Sequence, residues 1–122
     1  MKEINVLALA YLGDAIYEVY IREYLIKKGI CNVNTLQKEA VKYVSAKNQS
    51  IILNKLILDQ ILTDDEMSIV YRGRNHKSHK APKNTDIKTY KEATGFETLI
   101  GYLSINNKND RIDDIMNYIL ED

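Results

Sequence analysis

LALAYLGDAIYEVYI, residues 7–21, is apolar or small at nearly every position, yet Asp14 stands in its middle. The stretch predicts a helix from about Asn5 to Lys28, stopped at Gly29. Between Val6 and Tyr17 the helix is apolar on nearly every face, the pattern of one central to a fold or pressed into a partner. Ala8, Ala10, Gly13 and Ala15 would let another backbone come close. Gly13 costs up to about 1 kcal/mol of helix stability, and its place beside an acid implies that something needs room there. Asp14 has no local base. Arg22 lies eight residues on and instead pairs with Glu18, one turn before it. A buried, unpaired carboxylate costs several kcal/mol. It must be neutralised, paired or bound to a metal.

The rest of the chain reads as helix too. Its 122 residues are expected to form one domain, 1–122, with a formal charge of zero from 17 basic and 17 acidic side chains. That balance argues against a uniformly basic RNA coat and against an acidic tail. One proline and five glycines leave few breaks, and Leu, Ile, Lys, Glu and Ala recur at helical spacing, so the expected class is all-α. A second helix is expected from Asn34 or Thr35, and Ser45–Leu62 is another or its continuation. Thr63 and Glu66 form a capping-box pattern opening a short helix to about Arg72. Asp86 caps a helix over Ile87–Leu103, and the last runs from Asp110 to Leu120. The lone cysteine, Cys31, leaves no internal disulfide and fits a reducing cytosol. MKEINV carries no secretory pattern, and no run of about 18 apolar residues suggests a membrane span.

The oddity of Asp14 recurs in YKEATGFETLIGYL, residues 90–103, where Glu97 stands among Phe96, Leu99, Ile100 and Tyr102 with Gly95 and Gly101 close by. Two acids sharing a cleft raise one pKa unless a cation lies between them. Carboxylates and water suit a hard cation, Mg²⁺ before Ca²⁺, whereas His76 and His79 offer no zinc constellation with them. The alternative is structural: each acid tied to a distant Lys, Arg or Tyr hydroxyl. Residues 72–88, RGRNHKSHKAPKNTDIK, place Arg72, Arg74, Lys77, Lys80, Lys83 and Lys88 against the single Asp86, with Asn75 among them. Such a loop is either merely solvated or holds phosphates. Without an aromatic residue it fits a duplex backbone better than splayed bases. Two acids with a metal, beside a basic loop, are what metal-assisted phosphodiester cleavage needs.

AYLGDAIYE resembles the ribonuclease III signature, and ATGFETLIGYL resembles that family's second acidic helix. The closer resemblance is to its short bacterial branch, Mini-ribonuclease III, which lacks the double-stranded-RNA-binding domain. LALAYLGDAIYEVYIR, KYVSAKNQ, YRGRNHKS, PKNTDIKTY and ATGFETLIGYL match it in order, from about Asn5 to Tyr118. The resemblance implies the ribonuclease III endonuclease fold and a cytoplasmic homodimer. It implies Mg²⁺-dependent hydrolysis of both strands of duplex RNA, with Mn²⁺ as a substitute, leaving 5′-phosphates and short 3′ overhangs. The implied task is maturing the ends of the 23S ribosomal RNA precursor, aided by a large-subunit ribosomal protein on the RNA. Asp14 and Glu97 fall on the family's catalytic metal ligands. Arg72, Gly73, Arg74 and Asn75 match the family's RGRN stretch in its RNA-contacting loop, and Lys77, Lys80 and Lys83 are read as RNA-binding from the basic loop itself. Ala10 and Thr94 stand where longer family members carry two further acids, a departure the short branch shares. The alternative function is a non-catalytic RNA-binding module for ribosome assembly on the same fold.

Overall fold

The computed structural model describes residues 4–76 and 85–120. Among these there is no strand. The helices are α1 (Val6–Lys27), α2 (Val33–Val44), α3 (Ala46–Leu58), α4 (Asp64–Arg74), α5 (Ile87–Ile105) and α6 (Asn109–Leu120). The all-α expectation holds, and most boundaries follow from side chains at the ends. Asn5 Oδ1 accepts the Leu7 amide at 2.7 Å to open α1, and Gly29 takes a φ of 98° beyond its end. Asn32 caps α2 through the Thr35 amide at 3.2 Å, so the helix starts slightly before Asn34.

Ser45 separates α2 from α3, which are two helices rather than one. Its backbone is extended (φ −63°, ψ 151°), and its hydroxyl accepts the Asn48 amide at 3.3 Å. α3 stops at Leu58, short of Leu62, because Gln60 enters the left-handed region at φ 56°. The Thr63–Glu66 capping box is present. α4, however, runs on through Arg74, so Arg72 and Arg74 belong to a helix end and not to a loop. Asp86 caps α5 by accepting the Thr89 amide at 3.3 Å.

The central helix is α5 rather than α1. It packs against α1, α3, α4 and α6, and Phe96, Leu99, Ile100 and Leu103 are buried along it. Tyr17 and Phe96 meet edge to face at the core, with ring centroids 5.0 Å apart. α1 has two unlike faces. Val6, Leu9, Ala10, Gly13, Tyr17, Ile21 and Leu25 are buried, while Leu7, Tyr11, Val19 and Ile26 face outward, Tyr11 at 84% exposure. The far end is tied by Arg111 of α6, which donates to both Glu66 carboxylate oxygens, at 2.7 and 2.8 Å, and to the Ile61 carbonyl at 2.7 Å. That charge-assisted set holds the Glu66 carboxyl below its usual range although burial alone would raise it.

Two glycine contacts set the distance between α1 and α5. A Cβ on Gly13 would lie 1.8 Å from the Glu97 carbonyl oxygen, and one on Gly101 would lie 1.9 Å from the Leu9 carbonyl oxygen. Each helix therefore offers a glycine to the other's backbone, and any side chain there forces the axes apart. What needs room beside Asp14 is the backbone of the second acid.

Candidate active site

The α1–α5 crossing carries both acids. Asp14 follows the glycine that touches Glu97's own carbonyl, so the two side chains leave neighbouring helices at one point. They lie within hydrogen-bonding reach of each other. One expectation needs correction: Asp14 is exposed in the chain and Glu97 is only partly buried. The surroundings of α1 looked fully apolar because one of its faces is apolar but uncovered.

Glu97 carries the electrostatic cost of the pairing. Burial first, then the hydrogen bond and the charge of Asp14, push its carboxyl up to about 8; a hydrogen bond from Gln49 works in the opposite sense. Among the described residues no lysine or arginine contributes to that shift. The structural alternative, an acid neutralised by a distant base, therefore does not describe Glu97. Glu18 and Arg22 form the expected exposed pair at 3.4 Å.

Gln49 and Glu92 were not anticipated. Gln49, in the first turn of α3, is 1% exposed. Its Nε2 donates to the Val44 carbonyl at 3.0 Å and to Glu97 Oε2 at 3.4 Å. Glu92, one turn before Phe96 on the core stripe of α5, is buried and accepts the Ser50 hydroxyl at 2.7 Å. Both had a sequence signal. Gln49 continues the stripe of Leu53 and Leu56, and Glu92 that of Phe96, Leu99 and Leu103, so each is a polar residue at a core position. The KYVSAKNQ stretch gains a physical meaning as well. It breaks α2 at Ser45, and the Tyr43 and Val44 carbonyls released there accept from the Tyr17 hydroxyl and from Gln49.

Among the described residues no group of three or more His, Cys, Asp or Glu side chains is placed to hold a metal. The pair alone still fits a hard divalent cation. Its carboxylate oxygens are the right donors, and two acids held together with no basic partner among the described residues are what such an ion neutralises. Arg72 and Arg74 line different cavities. Arg72 lines a cavity of about 930 Å³ with Asn5, Tyr71 and His76. Arg74 lines a smaller one of about 360 Å³ with Lys88, Lys91 and Glu92, its guanidinium stacked on Tyr71. Asn75 lines both. Lys77, Lys80 and Lys83 lie outside the described residues, as does His79.

The helical fold around this acid pair is that of a ribonuclease III nuclease, and residues 7–108 match the Ribonuclease III domain. The chain is 45% identical to a Mini-ribonuclease 3 from Enterococcus faecalis, covering 98% of this chain and 91% of that one. It is 50% identical to one from Acholeplasma laidlawii, over 93% of this chain and 89% of that one. A crystal structure of a Fusobacterium nucleatum protein superposes with a TM-score of 0.85 at 37% identity, covering 98% of this chain and 94% of its own. The chain belongs to the Mini-ribonuclease 3 branch of the ribonuclease III family and is an endoribonuclease. Among the described residues no helix is long and apolar enough to cross a membrane.

Proposed function

We propose that this endoribonuclease hydrolyses both strands of double-stranded RNA at a Mg²⁺ site formed by Asp14 and Glu97, and that its substrate is the stem joining the ends of the 23S ribosomal RNA precursor. The observation that carries the reading is the acid pair: two carboxylates on separate helices, held together by glycine contacts, with no base among the described residues acting on Glu97. Glu66 is paired with Arg111 and Glu92 is held by the Ser50 hydroxyl, whereas Asp14 and Glu97 face each other, so the pair favours catalysis over a non-catalytic RNA-binding module. When bound, the cation supplies Lewis-acid activation of water and neutralises charge at the phosphate; Mn²⁺ offers the same chemistry. Asp14, exposed, presents its carboxylate to solvent and substrate, and Glu97, partly buried, anchors the site to the core helix.

The whole chain acts as one catalytic domain in the cytoplasm, as a homodimer with one site per RNA strand. The outward face of α1 supports the dimer. Leu7, Tyr11 and Val19 form an apolar surface that water covers in the single chain, and a two-fold contact would bury it. A large-subunit ribosomal protein on the RNA would act through the substrate. Purified protein incubated with the precursor stem should cut both strands in Mg²⁺ and neither in its absence, leaving 5′-phosphates and short 3′ overhangs. A single nicked strand, or cleavage unaffected by chelator, would overturn the proposal.

Arg72, Arg74 and Asn75, with Lys77, Lys80 and Lys83 beyond them, form the RNA-contacting edge. Replacing Arg72, Arg74 and Lys77 together with Ala should weaken duplex binding and lower the slope of log affinity against log salt by up to about 2 to 3. The circular dichroism spectrum should not change. An unchanged slope would remove this edge from the contact surface.

A further inference from the structure

Gln49 has a buried oxygen with no hydrogen-bond partner among the described residues. Its Nε2 faces two acceptors, the Val44 carbonyl and Glu97 Oε2. That choice fixes the amide orientation, because turning it over would set oxygen against oxygen at both contacts. Oε1 is left buried and unsatisfied, on the same planar amide that touches Glu97. A buried carbonyl oxygen without a partner costs about 1–3 kcal/mol. The surrounding structure has not relieved that cost, although α3 and α5 pack closely here. Because the same amide touches Glu97, an ion bound at the acid pair would bring its water donors to this side chain.

We propose that Gln49 is a positioning residue of this site: Nε2 aims the Glu97 carboxylate, and Oε1 accepts a hydrogen bond from the hydration shell of the divalent cation. The inference rests on the metal reading of Asp14 and Glu97. It gives the third helix of the site, α3, a role in metal affinity that neither acid supplies. A hard cation on only two carboxylates keeps several waters, and each water presents donors that need acceptors. The break at Ser45 serves this role by capping α3 where Gln49 enters its first turn and by freeing the Val44 carbonyl that orients the amide.

The test is Mn²⁺ binding by the full-length chain without RNA, read as loss of the free-ion electron paramagnetic resonance signal, in four proteins: wild type, Asp14→Asn, Gln49→Met and Gln49→Glu. Gln49→Met matches the side-chain length but has no donor and only a weakly accepting sulfur, and it should weaken Mn²⁺ binding by about tenfold or more, the range seen for groups that hold a metal's ligands. Gln49→Glu loses Nε2, and with it the bonds to Val44 and Glu97, but keeps an acceptor oxygen, so it should bind Mn²⁺ more tightly than Gln49→Met. A merely structural Gln49 predicts the reverse, since the added charge harms the apo fold at least as much as methionine does. Wild-type affinity in Gln49→Met, or equal weakening in both variants, would overturn the proposal. If Gln49→Met does not fold, Gln49→Ala takes its place with the same expected loss, and wild-type Mn²⁺ affinity in it overturns the proposal. Failure of the wild type to bind Mn²⁺, or wild-type binding by Asp14→Asn, would instead strike the metal reading itself.

Discussion

Glu97→Gln should lower the rate of duplex RNA cleavage by about 10³-fold or more while leaving the helix content unchanged. The loss corresponds to about 4 kcal/mol of transition-state stabilisation, in the range that a metal's charge contributes at a phosphoryl centre. Asp14→Asn should do the same. The two differ in stability, because Glu97 is the group whose proton equilibrium the fold has moved. Its carboxyl sits at about 8 in the metal-free chain, well above the unfolded value of about 4.3. A raised pKa means that the folded chain holds this proton more tightly than the unfolded one. The resulting stabilisation is complete below the unfolded value and is lost as pH rises through about 8. The metal-free melting temperature should therefore fall across neutral pH in the wild type, and this part of the slope should vanish in Glu97→Gln.

The same shift makes metal binding a proton exchange. A cation needs the ionised carboxylate, so apparent Mg²⁺ affinity should rise about tenfold per pH unit up to about pH 8 and then level off. Calorimetry in buffers of different ionisation enthalpy would show close to one proton released per ion at pH 7. Affinity flat from pH 6 to 8, or full cleavage by Glu97→Gln, would count against the site as drawn.

Gly13→Ala should cost on the order of 3 kcal/mol of folding stability or more, the upper range for overpacking, and should abolish cleavage by the molecules that remain folded. The added methyl would sit 1.8 Å from the Glu97 carbonyl oxygen. A backbone oxygen cannot swing aside as a flexible side chain can, so α1 and α5 must separate. Separation loosens the Tyr17–Phe96 contact and carries Asp14 away from Glu97, joining a stability effect to a functional one. Urea denaturation gives the first and single-turnover cleavage by the folded fraction gives the second. Near-native stability with native activity would show that the helices tolerate a wider crossing and that the glycine does not set the site.

Much of this molecule could be read in one dimension. Helix starts were legible at Asn5, Thr63 and Asp86 because a cap is local chemistry: a side chain bonding an amide two or three residues on. Ends were less legible. The run from Ser45 looked helical as far as Leu62, and only the left-handed turn at Gln60 stops it at Leu58. Arg72 and Arg74 looked like loop residues because basic composition does not reveal that α4 continues through them. Asp14 and Glu97 drew notice as acids in apolar, glycine-bearing helices, but their exposures could not be read, since apolar periodicity does not distinguish a face covered by the core from one left open.

The sequence by itself determined that the chain is helical, that Asp14 and Glu97 are out of place as ordinary helix residues, and which family it resembles. Each of these depends on near neighbours along the chain or on motifs kept in order. Only the tertiary structure decided that α5 and not α1 is the central helix, that the Gly13 and Gly101 contacts bring the acids together, and that the burden of proximity falls on Glu97. Only it brought in Gln49 from α3. The reason is that charge interaction and close packing act over a few ångströms through space, and residues 14, 49 and 97 become neighbours only after the helices have packed.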